Sequence, residues 1–300
     1  MRNLAAILAA VCFTLAPSSS FAQAYPAKPV HIIVAFAPGG PVDVIARLVS
    51  VKFQELLGQP AVVENRPSSS GNLGTQVVAK AAPDGYTILA TSSAFAVNVT
   101  LSPNAGYVPA DFAPIIQAAT QPNVIVVNSA FAAKTLPELL EMAKTMKLAY
   151  ASPGTGTTPH LTGEHIFKLI AKLDVTHIPH KGAGPAAAAV VSGEPPIGSL
   201  AVTAPIPFVR SGRLRALAIS SAVRHPMLPD VPTFVELGYP EIQEYTWVGF
   251  FAPAGTPPDI VLKLNEAINT ILKMPDIRER LESLTLEPVG GTPQQFTEYV

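Results

Sequence analysis

Val30-His31-Ile32-Ile33-Val34-Ala35-Phe36-Ala37-Pro38-Gly39-Gly40-Pro41-Val42-Asp43 is the stretch from which the fold follows. Residues 30–36 form a continuous apolar run rich in β-branched side chains, which reads as a buried strand, and the proline–glycine turn ends it. From residue 42 to 57 the period changes: Ile45, Leu48, Val49, Phe53, Leu56 and Leu57 fall on one face of a helix. A strand passed to a helix through a glycine turn is half of a βαβ unit. The unit then repeats, with a strand over 61–65, a Ser/Gly loop, a helix over 73–81, the turn Pro83-Asp84-Gly85 and a strand over 86–91.

Further along, two strands are expected over 113–120 and 123–128, separated by Gln121-Pro122. Thr135 and Glu138 then form a capping box that opens a helix. Strands over 148–151, 175–179, 197–202 and 216–220 alternate with helices over 160–173 and 185–192, which builds a second α/β lobe. The Pro-rich stretch 226–240 brings the chain back to the first lobe near Trp247. The expected domains are residues 25–122 with 245–300, and residues 123–244, joined by two crossings that make a hinge. At the end, Thr292, Pro293 and Gln295 start a helix that stops at Val300 after about two turns. So short a helix holds only by packing, and the natural chain is expected to continue; a short terminal helix is the other reading.

The opening residues have the pattern of an export signal, with Arg2 as the basic region, an apolar core over 4–15 and cleavage sites after Ala22 or Ala24. A soluble periplasmic protein is expected to follow, because no later run reaches roughly 20 apolar residues without Pro, Gly or charge. The single cysteine, Cys12, lies inside that leader, so disulfides, thiolate metal sites and a cysteine nucleophile are excluded from the processed chain. Twenty basic and twenty-one acidic residues give −1, and loss of Arg2 makes this −2, with no Lys/Arg block. Nucleic acid and anionic membrane surfaces are therefore poor partners.

Three strand-to-helix junctions place glycine or small hydroxyl residues just before a helix start: Ala37-Pro38-Gly39-Gly40-Pro41, Ser152-Pro153-Gly154-Thr155-Gly156-Thr157-Thr158 and His180-Lys181-Gly182-Ala183-Gly184-Pro185. Free N–H groups and the helix dipole there favour a carboxylate or phosphate, and glycine lets a ligand approach the backbone. In open α/β sheets such loops lie at the carboxyl ends of the strands, where ligands sit. Ordinary turn chemistry accounts for one such junction and less readily for three. Gly154-Thr155-Gly156 lacks the third glycine of a dinucleotide fingerprint, and no glycine loop ends in Gly-Lys-Ser/Thr. His177 and His180 stand three apart on an expected strand, on opposite faces, so no metal site is expected. A serine hydrolase lacks its nucleophile elbow. Asp43 caps the first helix or fixes its loop, and Asp84 belongs to a turn. No cofactor and no catalysis are expected.

At these residues the sequence resembles the Bug-type receptors of tripartite tricarboxylate transporters. Tyr25-Pro26-x-Lys28-Pro29, Phe36-Ala37-Pro38-Gly39-Gly40-x-x-Asp43, Val63-Glu64-Asn65-Arg66-Pro67, Pro83-Asp84-Gly85-Tyr86-Thr87 and Ala252-Pro253-Ala254-Gly255-Thr256-Pro257 all look like that family's blocks, in its order. The resemblance implies a two-lobed periplasmic-binding-protein fold of type II, each lobe a mostly parallel sheet flanked by helices, with the ligand cleft between them. It also implies that a ligand carboxylate is held by backbone amides, hydroxyls and waters. Carried onto this chain, the contacts are Pro38, Gly39, Gly40 and Asp43, Ser92 and Ser93, then Gly154, Thr155, Gly156, Thr157, His160, His180, Lys181 and Gly182. The implied partners are a small organic carboxylate (a di- or tricarboxylate, an acidic amino acid or an aromatic acid) and two integral-membrane transporter subunits; a monomer is expected.

The chain departs from the family pattern in places. Ser68-Ser69-Ser70-Gly71 replaces a glycine-rich loop, His180 stands where a tyrosine is usual, and Pro195-Pro196 delays a strand. His180 either faces the cleft, making binding sensitive to pH, or packs away from it. Besides a transport receptor, the same pocket suits a sensory protein presenting its ligand to a membrane receptor; a periplasmic hydrolase is the remote alternative.

Overall fold

The computed structural model describes residues 25–102 and 104–300, so the leader read over 1–24 lies outside the described residues. The chain first builds β1 (Val30–Val34), α1 (Pro41–Leu57), β2 (Ala61–Asn65), α2 (Asn72–Ala79), β3 (Thr87–Ser92), α3 (Ala94–Leu101) and β4 (Phe112–Asn128). Next come α4 (Leu136–Ala143), β5 (Leu148–Ser152), α5 (Thr158–Glu164), β6 (Val175–Pro179), α6 (Ala183–Ser192), β7 (Ile197–Ala201), α7 (Ile206–Arg210) and β8 (Leu214–Ile219). β9 (Tyr245–Pro253), α8 (Pro258–Lys273), α9 (Pro275–Ser283), β10 (Glu287–Pro288) and α10 (Pro293–Tyr299) complete it.

Each lobe has a sheet. In the first, β1 lies between β2 and β3, parallel to both, and β3 then pairs antiparallel with β9. In the second, β5 lies between β6 and β7, again parallel to both. The sheets are mixed rather than mostly parallel, because β4 and β9 pair antiparallel with each other and with their neighbours. Alternating strand and helix patterns foretell parallel neighbours. They carry no information about strands that travel from one lobe to the other.

β4 is that strand, and it is continuous where two strands were expected. From Phe112 to Pro122 it pairs with β9, and from Asn123 to Asn128 with β7 and β8. Pro122 lacks a ladder donor, but it sits where the strand changes partners, and its carbonyl still accepts from Val202 N at 3.2 Å.

The core of the first lobe lies where Ile45, Val49 and Phe53 of α1 and Leu264 and Ile268 of α8 meet the sheet. Phe95 stacks on Phe251 at 4.4 Å between centroids. In the second lobe Leu136, Leu139, Tyr150 and Phe167 cover one face of the sheet, while Ala186, Ala187 and Val190 of α6 cover the other. The expected helix over 160–173 is α5 continued by a π-turn over His165–Ile170. α10 is held as its length requires: Thr292 and Gln295 cap it reciprocally, and buried Phe296 packs against Phe251 at 4.9 Å and Trp247 at 5.6 Å.

Candidate functional site

All three glycine junctions meet at the seam between the lobes. Ala37 N donates to Lys181 O at 2.8 Å, so the first junction is bonded directly to the third. The side chains of Ser93 and Thr158 also hydrogen-bond across the seam. A Cβ on Gly184 would lie 2.3 Å from Pro38 O, one on Gly182 2.9 Å from Ala37 N, and one on Gly154 1.8 Å from Ser69 O. At Gly156 (φ +79°) the clash would be with Asn98 Oδ1, at 2.0 Å. The room that glycine leaves at these junctions is taken by the opposite lobe, so the lobes are closed.

A small cavity of about 30 Å³, partly open to solvent, remains at the centre of the seam. Phe36, Ala37, Gly40, Pro41 and Val42 wall one side of it. Pro153, Thr157, Pro159, Ala183 and Ala201 wall the other, and Asp43, Ser92 and Thr246 complete the lining. Helix geometry leaves the amides of Val42 and Asp43 without intrahelical partners, and likewise those of Thr158, Ala183 and Gly184. Pro41, Pro159 and Pro185 fall in the first turns of the same helices, where a missing N–H costs little. The positive ends of α1 and α6 therefore share one small space, which makes it electrostatically receptive to an anion.

Asp43 lines this space, yet its carboxylate is committed. Oδ1 accepts from Asn65 Nδ2 at 2.9 Å and Oδ2 from Gly39 N at 3.2 Å, while Arg47 pairs with it at 2.9 Å. Burial alone would raise its pKa, but the bonds from Arg47, Asn65 and Gly39 hold it below the usual carboxylate range. Asn65 also donates to Phe36 O at 2.9 Å. The carboxylate thus ties β2, the first junction and α1 together.

Beneath the second junction lies a polar cluster. Gly156 N donates to His160 Nδ1 at 3.2 Å, and the rings of His160 and His177 are 4.2 Å apart. His177 Nε2 is 2.7 Å from Ser152 Oγ, and Ser152 Oγ accepts from Gly154 N at 3.1 Å. Here is a serine–histidine pair that the sequence did not reveal; Ser152 is fully buried and its hydroxyl braces the loop. Tyr150 donates to Glu164 at 2.7 Å, and Lys168 pairs with Glu164 at 2.8 Å. Burial, with the neighbouring His160, pushes His177 down to about 4; burial also lowers His160 and His180.

Residues 45–300 match the model of the tripartite tricarboxylate transporter family receptor, TctC. The chain belongs to that family. Among its relatives, protein BugT of Bordetella pertussis is 38% identical over 284 residues, covering 93% of this chain and 87% of BugT. The solved structure of the periplasmic binding protein BugD superposes with a TM-score of 0.88 at 33% identity, over 92% of this chain and 93% of that one. MatC from Rhodopseudomonas palustris with bound malate gives 0.84 at 34% identity, over 88% and 90%.

In this TctC receptor the residues picked out from sequence separate into three groups. Gly40, Asp43, Ser92 and Thr157 line the cavity. Pro38, Gly39, Ser93, Gly154, Gly156, Lys181 and Gly182 lie at the seam and touch the opposite lobe or its neighbours through the contacts above; the Lys181 side chain is exposed. His160 and His180 do not line the cavity, and Thr155 is half-buried in the second junction. His180 Nε2 is buried with no hydrogen-bond partner among the described residues.

Sequence reasoning missed several wall residues. Pro41, Pro153 and Ala183 belong to the recognised junctions, Pro159 adjoins one, and all four were within its reach. Ala201, at the end of β7, and Thr246, at the start of β9, come from distant strands and carry no local mark. Asn98 was also missed: it donates to Ser70 O at 2.6 Å and presents Oδ1 to Gly156 of the other lobe.

Proposed function

We propose that this receptor, exported and cleaved after Ala22 or Ala24, captures a small organic carboxylate between its lobes in the periplasm. It then delivers that acid to the two integral-membrane subunits of a tripartite tricarboxylate-type transporter. The single observation that carries this reading is the convergence of helix N-termini from both lobes on one cavity. The carboxylate takes the free amides at the starts of α1 and α6, with Ser92 Oγ as a further donor. The relative MatC, whose solved structure has malate bound, supports a carboxylate as the guest. Residues 25–122 with 245–300 and residues 123–244 act as the two bodies, and they part by a hinge at the crossings beside Asn123 and Tyr245. Binding energy comes from both bodies at once, so ligand favours the closed arrangement.

Isothermal titration of the processed protein against a panel of mono-, di- and tricarboxylates, acidic amino acids and aromatic acids tests this. One acid of the panel is expected to bind saturably with 1:1 stoichiometry; a panel with no binder overturns the reading.

A further inference from the structure

The walls of the cavity narrow the ligand class further, and this step rests on the carboxylate reading above. Apart from Gly40 and four polar residues, the lining consists of Ala, Pro, Val and Phe. No Lys, Arg or His stands among the described lining residues. Of the four polar residues, Asp43 has its carboxylate engaged by Arg47, Asn65 and Gly39 and offers a guest no donor. The Thr157 hydroxyl donates to Gly154 O at 2.6 Å and that of Thr246 to Asn123 Oδ1 at 2.7 Å, so neither proton is available to a guest. Ser92 Oγ alone makes no hydrogen bond among the described residues, and it is assigned to the guest's one carboxylate.

We infer that the guest is a compact monocarboxylate whose body is apolar, branched or aromatic, and that acids with a second carboxylate are discriminated against. A second charged group buried among Phe36, Pro41, Val42 and Pro159 would leave water without a partner, and an unpaired charge in such surroundings is strongly disfavoured. An apolar body exchanges water for those walls with no polar group stranded. The malate-binding relative MatC makes the contrast testable within one fold.

The experiment is calorimetry on the processed protein with isovalerate and benzoate on one side and malate, adipate and citrate on the other. At least one of the monocarboxylates is expected to bind about tenfold or more tightly than every polyacid. A polyacid that binds as tightly overturns the inference while leaving the carboxylate receptor intact; a panel in which nothing binds removes both. Val42→Thr, which keeps side-chain shape and adds one hydroxyl to the wall, separates wall contact from mere occupancy. It is expected to weaken the apolar acid several-fold, roughly threefold to tenfold, and to narrow its lead over 2-hydroxyisovalerate. An unchanged order of affinities in that variant means the body does not touch this wall, and overturns the inference as well.

Discussion

His177 lies between Ser152, His160 and Tyr150, with Glu164, Lys168 and His180 as the nearby charged or titratable groups. Its neutral form is the one that fits. Gly156 N–H needs a lone pair on His160 Nδ1, and the stacked His160 and His177 rings tolerate little added charge. Because the folded pKa of His177 is depressed to about 4 from an ordinary 6.5, the unfolded chain binds the proton first as pH falls. Stability is therefore complete above about pH 6.5, declines between there and about pH 4, and levels off below. Each proton taken up on unfolding sets a slope of at most about 1.4 kcal/mol per pH unit, and His160 adds to it in the same direction. Urea melts at intervals of half a pH unit check this, and a midpoint that stays flat over that range contradicts the assignment. In the sequence, His177 and His180 stand out only by their spacing of three. The partners that matter, Ser152 and His160, belong to β5 and α5, and only the packed structure brings them to the ring.

At the scale of elements, the junction glycines serve closure. Gly154 stands at φ +144° and Gly156 at φ +79°, and a methyl on either would strike Ser69 or Asn98 of the facing lobe. Gly154→Ala and Gly156→Ala are expected to weaken acid binding by about tenfold or more, since each withholds the closed form that ligand favours. Small-angle scattering with saturating acid should show them more extended than the parent. Gly58→Ala is the control: it too has positive φ, but a methyl there meets nothing within 4 Å. It costs about 1 kcal/mol of stability and leaves binding alone.

Much of this layer was legible beforehand. The apolar run before Pro38 and the one-sided apolar period of α1 fixed the first βα unit, and the same marks recovered α2, α4, α5 and α6. α3 has no counterpart in the sequence reading because its apolar residues, Ala94, Phe95, Val97, Val99 and Leu101, surround the helix without choosing a face. α8 was within reach, since Val261, Leu264, Ile268 and Ile271 do mark one. Glycine betrayed where the backbone is crowded, but not by what.

For the molecule as a whole, both crossings are bound into one polar network. Asn123 donates to Thr162 Oγ1 at 2.9 Å and accepts from Thr246 Oγ1 at 2.7 Å. Its own amide donates to Ser220 Oγ at 2.8 Å. Glu244, at the second crossing, holds His165 at 2.9 Å and also bonds Thr162. Asn123→Ala leaves the Thr246 hydroxyl without its acceptor in a buried place, so thermal or urea unfolding should register a loss of about 1–3 kcal/mol. Asp259→Asn, on the outer surface at the start of α8, should fall within about 0.5 kcal/mol of the parent. None of this network was visible in the sequence, because its members are drawn from four separate segments. Continuity of β4 through Gln121-Pro122 escaped for a related reason: proline signals a break only while the strand keeps a single partner.

The bond from Ala37 N to Lys181 O joins residues of opposite lobes. Its hydrogen can be lost to heavy water only during the moments when the halves stand apart, whereas amides inside β1 are guarded by their own sheet. Isotope uptake at that one nitrogen, followed with and without an acid in solution, is therefore a direct count of how often the jaws gape.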